Sequence, residues 1–189
     1  MFEAAELGLA LLREDLADRA AFSAFNDHVG VDERDAELVC RRAGELTVAL
    51  EFMPYSGVPD LRTAWEVIAS ANAPNAGLLV DAWHWARAGT VRDDLRPISA
   101  GRIVAIQLSD VAEHSVPVPR EESLHHRLPP GRGHGDVVGM LRALRRHGAD
   151  PAVVAVEMMS DELLSRGAQA VAATCFRASR EVLAVAGAP

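Results

Sequence analysis

The stretch GLLVDAWHW, residues 77–85, decides the fold. Glycine and three aliphatic residues run without alternation into Asp81, and His84 follows three positions on. An unbroken apolar run of this length suits a strand covered on both faces, and such strands belong to parallel sheets. A carboxylate that ends so apolar a run either caps the segment after it or faces a place where charge is wanted.

The same form recurs three times: TVAL precedes Glu51, IVAI precedes Gln107 and VVAV precedes Glu157. Helical patterns separate the runs. DLRTAWEVIASA (60–71) opens on Asp60 as a cap and places Leu61, Ala64, Trp65 and Ile68 on one face. GDVVGMLRALRRHG (135–148) opens on Asp136, turns Val137, Met140, Leu141 and Leu144 inward, and stops at Gly148. A helix over 31–46 leads into the first run, and a last one is expected from Asp161 to about Ala184. Strand alternating with helix means βαβ units and a parallel sheet. The longest connection, residues 109–135, is rich in Pro, Gly and His, as functional loops often are.

Composition excludes several classes of function. The chain has 189 residues, 49% hydrophobic and 24% charged, and reads as one domain with a well-buried core. No apolar run reaches the ~18 residues of a membrane span. The N-terminus lacks a secretory signal, and Cys40 and Cys175 do not suggest a disulfide framework, so a cytoplasmic location is expected. A net charge of −8 argues against nucleic acid as a partner; Arg142, Arg145 and Arg146 read as a solvated helix face. All 19 basic residues are arginine. Without lysine there is no Schiff-base chemistry and no P-loop. GRGHGD (131–136) therefore resembles a phosphate loop only superficially, since no strand leads into it and the third glycine of a dinucleotide fingerprint is missing.

In parallel α/β folds, ligands bind at the carboxyl ends of strands. There the four runs place Glu51, Asp81, Gln107 and Glu157. Any one of them reads equally as a loop residue or a cap. Three converging carboxylates, however, repel one another unless a cation compensates. With an amide oxygen they form a hard donor set that suits Mn²⁺ or Mg²⁺, with Co²⁺ or Zn²⁺ as further candidates.

The segments ALEFMP, GLLVDAWHWARAG, IVAIQLSD, RLPPGRGHGD and VVAVEMM, in this order over residues 45–160, resemble the second half of the xylose isomerase-like TIM barrel superfamily. That superfamily includes sugar isomerases and epimerases, inosose dehydratases and 3-dehydroshikimate dehydratases. The resemblance implies four metal ligands at Glu51, Asp81, Gln107 and Glu157. It also implies a substrate-side histidine at His84 and a substrate-binding arginine at Arg127. Glu51 and Glu157 would then be the catalytic acid/base pair. Gln107 stands where many epimerases have histidine, which leans toward the dehydratase branches.

The implied fold is α/β, a parallel (β/α) barrel of TIM type, but only its C-terminal half to five-eighths, strands four or five to eight. A full barrel takes ~250 residues. Residues 47–189 would hold four strand–helix units, and 1–46 a helix and a remnant strand, LGLALL (7–12), after FEAAE. An open sheet of this kind exposes apolar edges, which a second copy in a homodimer would cover.

The implied activity is a metal-dependent isomerase or epimerase acting on a small sugar or polyol through an enediolate-type proton transfer. The alternatives are a dehydratase of 3-dehydroshikimate or inosose type and a truncated, catalytically silent member. Bland readings stand beside each residue. His84, between Trp83 and Trp85, also suits a packed histidine, and the two tryptophans suit core or pocket wall. Arg127 also suits a solvated loop, as do His125, His126 and His134. Phe52 and Tyr55 suit pocket or loop packing, and Asp110 a cap or a supporting residue.

Overall fold

The computed structural model describes residues 33–187. The expected strand at 7–12 and the segment FEAAE lie outside the described residues. Helix α1 (Glu33–Ala43) leads into β1 (Val48–Glu51), α2 (Leu61–Ala71) and β2 (Ala76–Asp81). Next come α3 (Ala82–Arg87), two 3₁₀ turns (Arg92–Leu95 and Ala100–Arg102) and β3 (Ile103–Leu108). The strap helix α4 (Pro119–His125), α5 (Val137–His147), β4 (Val153–Val156), α6 (Asp161–Leu164) and α7 (Ala168–Ala186) complete the order.

The helix boundaries have chemical causes. Asp60 accepts a hydrogen bond from the Thr63 amide at 2.8 Å and so caps α2. Asp136 does the same for α5 through Gly139 at 3.0 Å, and Gly148, at φ +89°, ends that helix. The Asn75 amide reaches the carbonyls of Cys40 (2.9 Å), Gly44 (3.2 Å) and Leu46 (2.9 Å), which satisfies the orphan acceptors where α1 stops. The single helix expected from Asp161 is two helices, because Gly167 at φ +87° interrupts it.

The four strands are parallel in the order β1-β2-β3-β4, each beside its sequence neighbour. The chain is thus a run of right-fitting βαβ units, as the alternation of patterns predicts. Leu78, Val80, Ile103, Ile106 and Leu108 turn their side chains to one core with Leu61, Ala64 and Ile68 of α2 and Met140, Leu141 and Leu144 of α5. A slip in register follows Leu78, where Ile103 faces Leu78 but Ala105 faces Leu79. Gly77 makes room there: a Cβ on it would lie 2.6 Å from Cγ1 of Val104.

The expectation of strands covered on both faces holds for β2 but not for β4. Val153, Val154 and Val156 are 53%, 44% and 37% exposed. Among the described residues nothing pairs with the outer edge of β4, and α7 packs on α5 instead. Cys40 and Cys175 are buried free thiols. No helix among the described residues is long and apolar enough to cross a membrane.

Candidate functional site

Strand register explains why the polar strand ends lie on one face of the sheet. Glu51 pairs with Leu79, two residues before Asp81; Asp81 pairs with Gln107; Gln107 pairs with Ala155, two residues before Glu157. Residues two apart on a strand share a face. Glu51, Asp81 and Gln107 therefore project from the same face of the sheet. Glu157 continues that alternation one residue past β4, its amide still bonded to the Leu108 carbonyl at 3.2 Å.

Asp81 is wholly buried and serves twice. One carboxylate oxygen accepts from the His84 amide at 2.9 Å and so starts α3; the other accepts from Arg127 Nη1 at 3.0 Å. The short helix that Asp81 caps turns His84 back toward β1, where its Nε2 lies 3.5 Å from Glu51 Oε1. Glu51, Asp81 and His84 offer ligand atoms that all lie within 4.8 Å of one another. Arg127 Nη1 also meets Glu157 Oε2 at 3.0 Å, so one guanidinium joins the ends of β2 and β4. The side-chain oxygens Glu51 Oε1 and Gln107 Oε1, and His84 Nδ1, are buried without a hydrogen-bond partner among the described residues.

Burial governs the electrostatics. It pushes the Glu51 carboxyl up to about 7, helped by the charges of Asp81 and Glu157 and opposed by Arg127. It raises Asp81 too, against the pull of Arg127 and the His84 amide. Burial and then Arg127 lower His84 to about 3, so the imidazole is neutral and its contact with Glu51 is polar rather than ionic. An oxygen-rich pocket with orphaned lone pairs and carboxyls forced above their usual range is one that a cation would relieve.

The loop 109–135 places Arg127. Its backbone is pinned on both sides: Leu128 and Asp110 exchange hydrogen bonds at 2.9 and 2.7 Å, and the Arg127 amide donates to the Met159 carbonyl at 2.9 Å. Asp110, expected as a cap or a supporting residue, caps no helix and instead braces the loop. Its carboxylate accepts from Val111 (2.8 Å), Gly133 (2.9 Å) and Gly135 (2.8 Å). The glycines of GRGHGD thus cradle a carboxylate of the chain itself. A Cβ on Gly135 would lie 2.8 Å from Asp110 Oδ1.

Sequence reasoning missed Ser109, Ser123 and the pair of half-buried Arg87 with buried Glu122. Ser123 Oγ accepts from Arg127 Nη2 at 2.9 Å and from the Tyr55 hydroxyl at 3.2 Å, and its carbonyl accepts from Arg127 Nε at 2.8 Å. No helical spacing signals the pair Ser123 and Arg127, because Arg127 lies two residues beyond the end of α4. Arg87 Nε donates to Glu122 at 2.9 Å and thereby ties the strap helix to α3. Phe52 and Trp83 are wholly buried and Trp85 belongs to the core. Tyr55 stands edge-on to Trp83 and His84, with ring centres 6.3 and 5.9 Å away. His126 and His134 are exposed and His125 is half-exposed; none joins the cluster.

A parallel (β/α) sheet with acidic and imidazole groups gathered at the carboxyl ends of its strands is an arrangement that TIM barrels and doubly wound α/β folds share. The xylose isomerase-like TIM barrel family model matches residues 33–179, and the chain belongs to that family. Over 138 residues it is 26% identical to the inosose isomerase of Bacillus licheniformis and 28% identical to that of Halalkalibacterium halodurans. Each match covers 72% of this chain and 48% of the relative. A solved structure of the IolI protein with a bound zinc atom is similar at TM-score 0.72 and 22% identity, over 84% of this chain and 60% of that one. The chain spans about half the length of the curated relatives it matches.

Proposed function

We propose that this chain carries the metal-binding strand ends of a divalent-metal-dependent isomerase or epimerase acting on a small sugar or polyol. The metal ligands would be Glu51, Asp81, Gln107 and Glu157, with His84 close enough to join or to contact substrate. The observation that carries this reading is the shared face of the four strand ends, with Glu51 Oε1 and Gln107 Oε1 buried without a hydrogen-bond partner among the described residues. The inosose isomerase relatives and the zinc in the IolI structure lend it support.

When bound, a divalent ion supplies Lewis-acid polarisation of a carbonyl and a neighbouring hydroxyl. The chain's own residues do the rest. Glu51 and Glu157 stand at opposite ends of the strand order, so they reach a substrate from two sides. One takes the proton from the carbon beside the carbonyl and the other returns it on the opposite face. Arg127 and His84, 3.5 Å apart, lie where negative charge develops on substrate oxygen. Trp83 and Tyr55 pack edge-on against each other and against His84.

In D₂O with Mn²⁺ added, a ketose or inosose substrate is expected to take up deuterium at the carbon next to its carbonyl. Glu157→Gln is expected to abolish uptake. No exchange with any member of a ketose and inosose panel would sink the isomerase reading. Gln107 favours a second reading, a dehydratase of 3-dehydroshikimate or inosose type on the same residues, in which a β-hydroxyl leaves after the proton. Turnover of 3-dehydroshikimate to an ultraviolet-absorbing aromatic product would select it.

A further inference from the structure

We propose that Arg127 is a resident counter-cation that competes with the divalent ion for Asp81 and Glu157, and so sets the metal affinity of the site. The inference rests on the metal-site reading above. Arg127 is 2% exposed, and carboxylate, hydroxyl and carbonyl oxygens hold its guanidinium. Nη1 meets Asp81 Oδ2 and Glu157 Oε2, both at 3.0 Å, and Ser109 Oγ at 3.4 Å. Ser123 takes Nε at 2.8 Å and Nη2 at 2.9 Å. The guanidinium carbon lies 5.6 Å from the centre of the Trp83 ring.

Two of the four proposed ligands are therefore already paired with a positive charge that does not titrate. Without it, three carboxylates, Asp81 wholly buried and Glu51 and Glu157 partly so, would crowd one site with no compensation. With it, the pocket keeps its shape before any ion arrives, but an arriving divalent ion meets a fixed like charge bonded to two of its ligands. In a low-dielectric setting that repulsion weakens binding. The arginine thus exchanges metal affinity for a folded, metal-free site. A supporting residue that merely aligned the ligands would act in the opposite direction, because its loss would weaken binding.

Titration calorimetry with MnCl₂ on the full chain separates the two roles. Arg127→Gln is expected to bind Mn²⁺ about tenfold more tightly than the wild type. Arg127→Lys, which keeps the charge, should stay within about threefold of the wild type by the same reasoning. Weaker or unchanged binding by Arg127→Gln overturns the proposal while leaving the metal site itself standing. Mn²⁺ bound by Arg127→Gln but not by the wild type supports it in its strongest form. No Mn²⁺ bound by either chain brings down both this inference and the metal-site reading. If Arg127→Gln does not fold, Ser123→Ala releases one side of the guanidinium. A gain of about threefold is then expected, and no gain overturns the proposal.

Discussion

Leu78 and Val80 of β2 are wholly buried, whereas the valines of β4 stand open to solvent on both faces of the strand. Yet GLLVD and VVAVE are built alike. Both are unbroken apolar runs that end in a carboxylate. What separates them is neighbours. β2 lies between β1 and β3, with α2 packed against it, while β4 is an edge whose outer side meets no strand among the described residues. Apolarity specifies that a strand is to be buried; it does not specify what buries it.

The charged ends repeat the contrast and give the largest expected effect. Asp81 is wholly buried, caps α3 and pairs with Arg127. Asp81→Ala leaves a buried guanidinium short of a partner and is expected to cost about 3–5 kcal/mol in urea unfolding. Glu157 keeps part of its side chain in water, and Glu157→Gln preserves a hydrogen-bond acceptor. Its cost should stay near 1 kcal/mol. Equal losses would mean that the end of β4 is as enclosed in solution as the end of β2.

Within the strands, Leu78→Ala is expected to cost about 2–5 kcal/mol, the range for deleting a large buried aliphatic side chain. Gly77→Ala tests the local geometry. The added methyl would press on both Val104 methyls, at 2.6 and 2.7 Å, and should cost about 1–3 kcal/mol. Restoration of stability by Gly77→Ala with Val104→Ala would locate the strain there; no restoration would mean the backbone at the register slip cannot take a side chain.

Much of this arrangement is legible in the sequence, and the illegible part has a physical pattern. Local chemistry can be read directly. The runs ending at Glu51, Asp81, Gln107 and Glu157 are the strands, and Asp60, Asp136 and Gly148 bound their helices as expected. The split at Gly167 was readable in principle, since glycine is the residue that tolerates φ +87°. The fate of Arg127 was not. Its contacts with Asp81 and Glu157 depend on a loop that doubles back through Asp110, Leu128 and Met159, and no spacing along the chain encodes that path. The family resemblance named Arg127 and His84, but the shared face of the polar strand ends needed the register, which slips after Leu78.

The smallest expected effect probes the contrast most sharply. Val154 of β4 is an exposed aliphatic residue, so Val154→Ala should change stability by about 0.5 kcal/mol or less. That holds only while the edge stays bare. An exposed parallel edge with apolar side chains on both faces invites a cover, and a second copy of the chain would bring one. Stability then becomes linked to protein concentration. In that case Val154→Ala would cost more in concentrated than in dilute solution, and its effect would climb toward that of Leu78→Ala. Unfolding curves at several concentrations, read beside the mass from light scattering, decide the matter. A small cost that does not vary with concentration leaves β4 as a true edge; a rising one shows that the apolar code of β4 is satisfied between chains rather than within one.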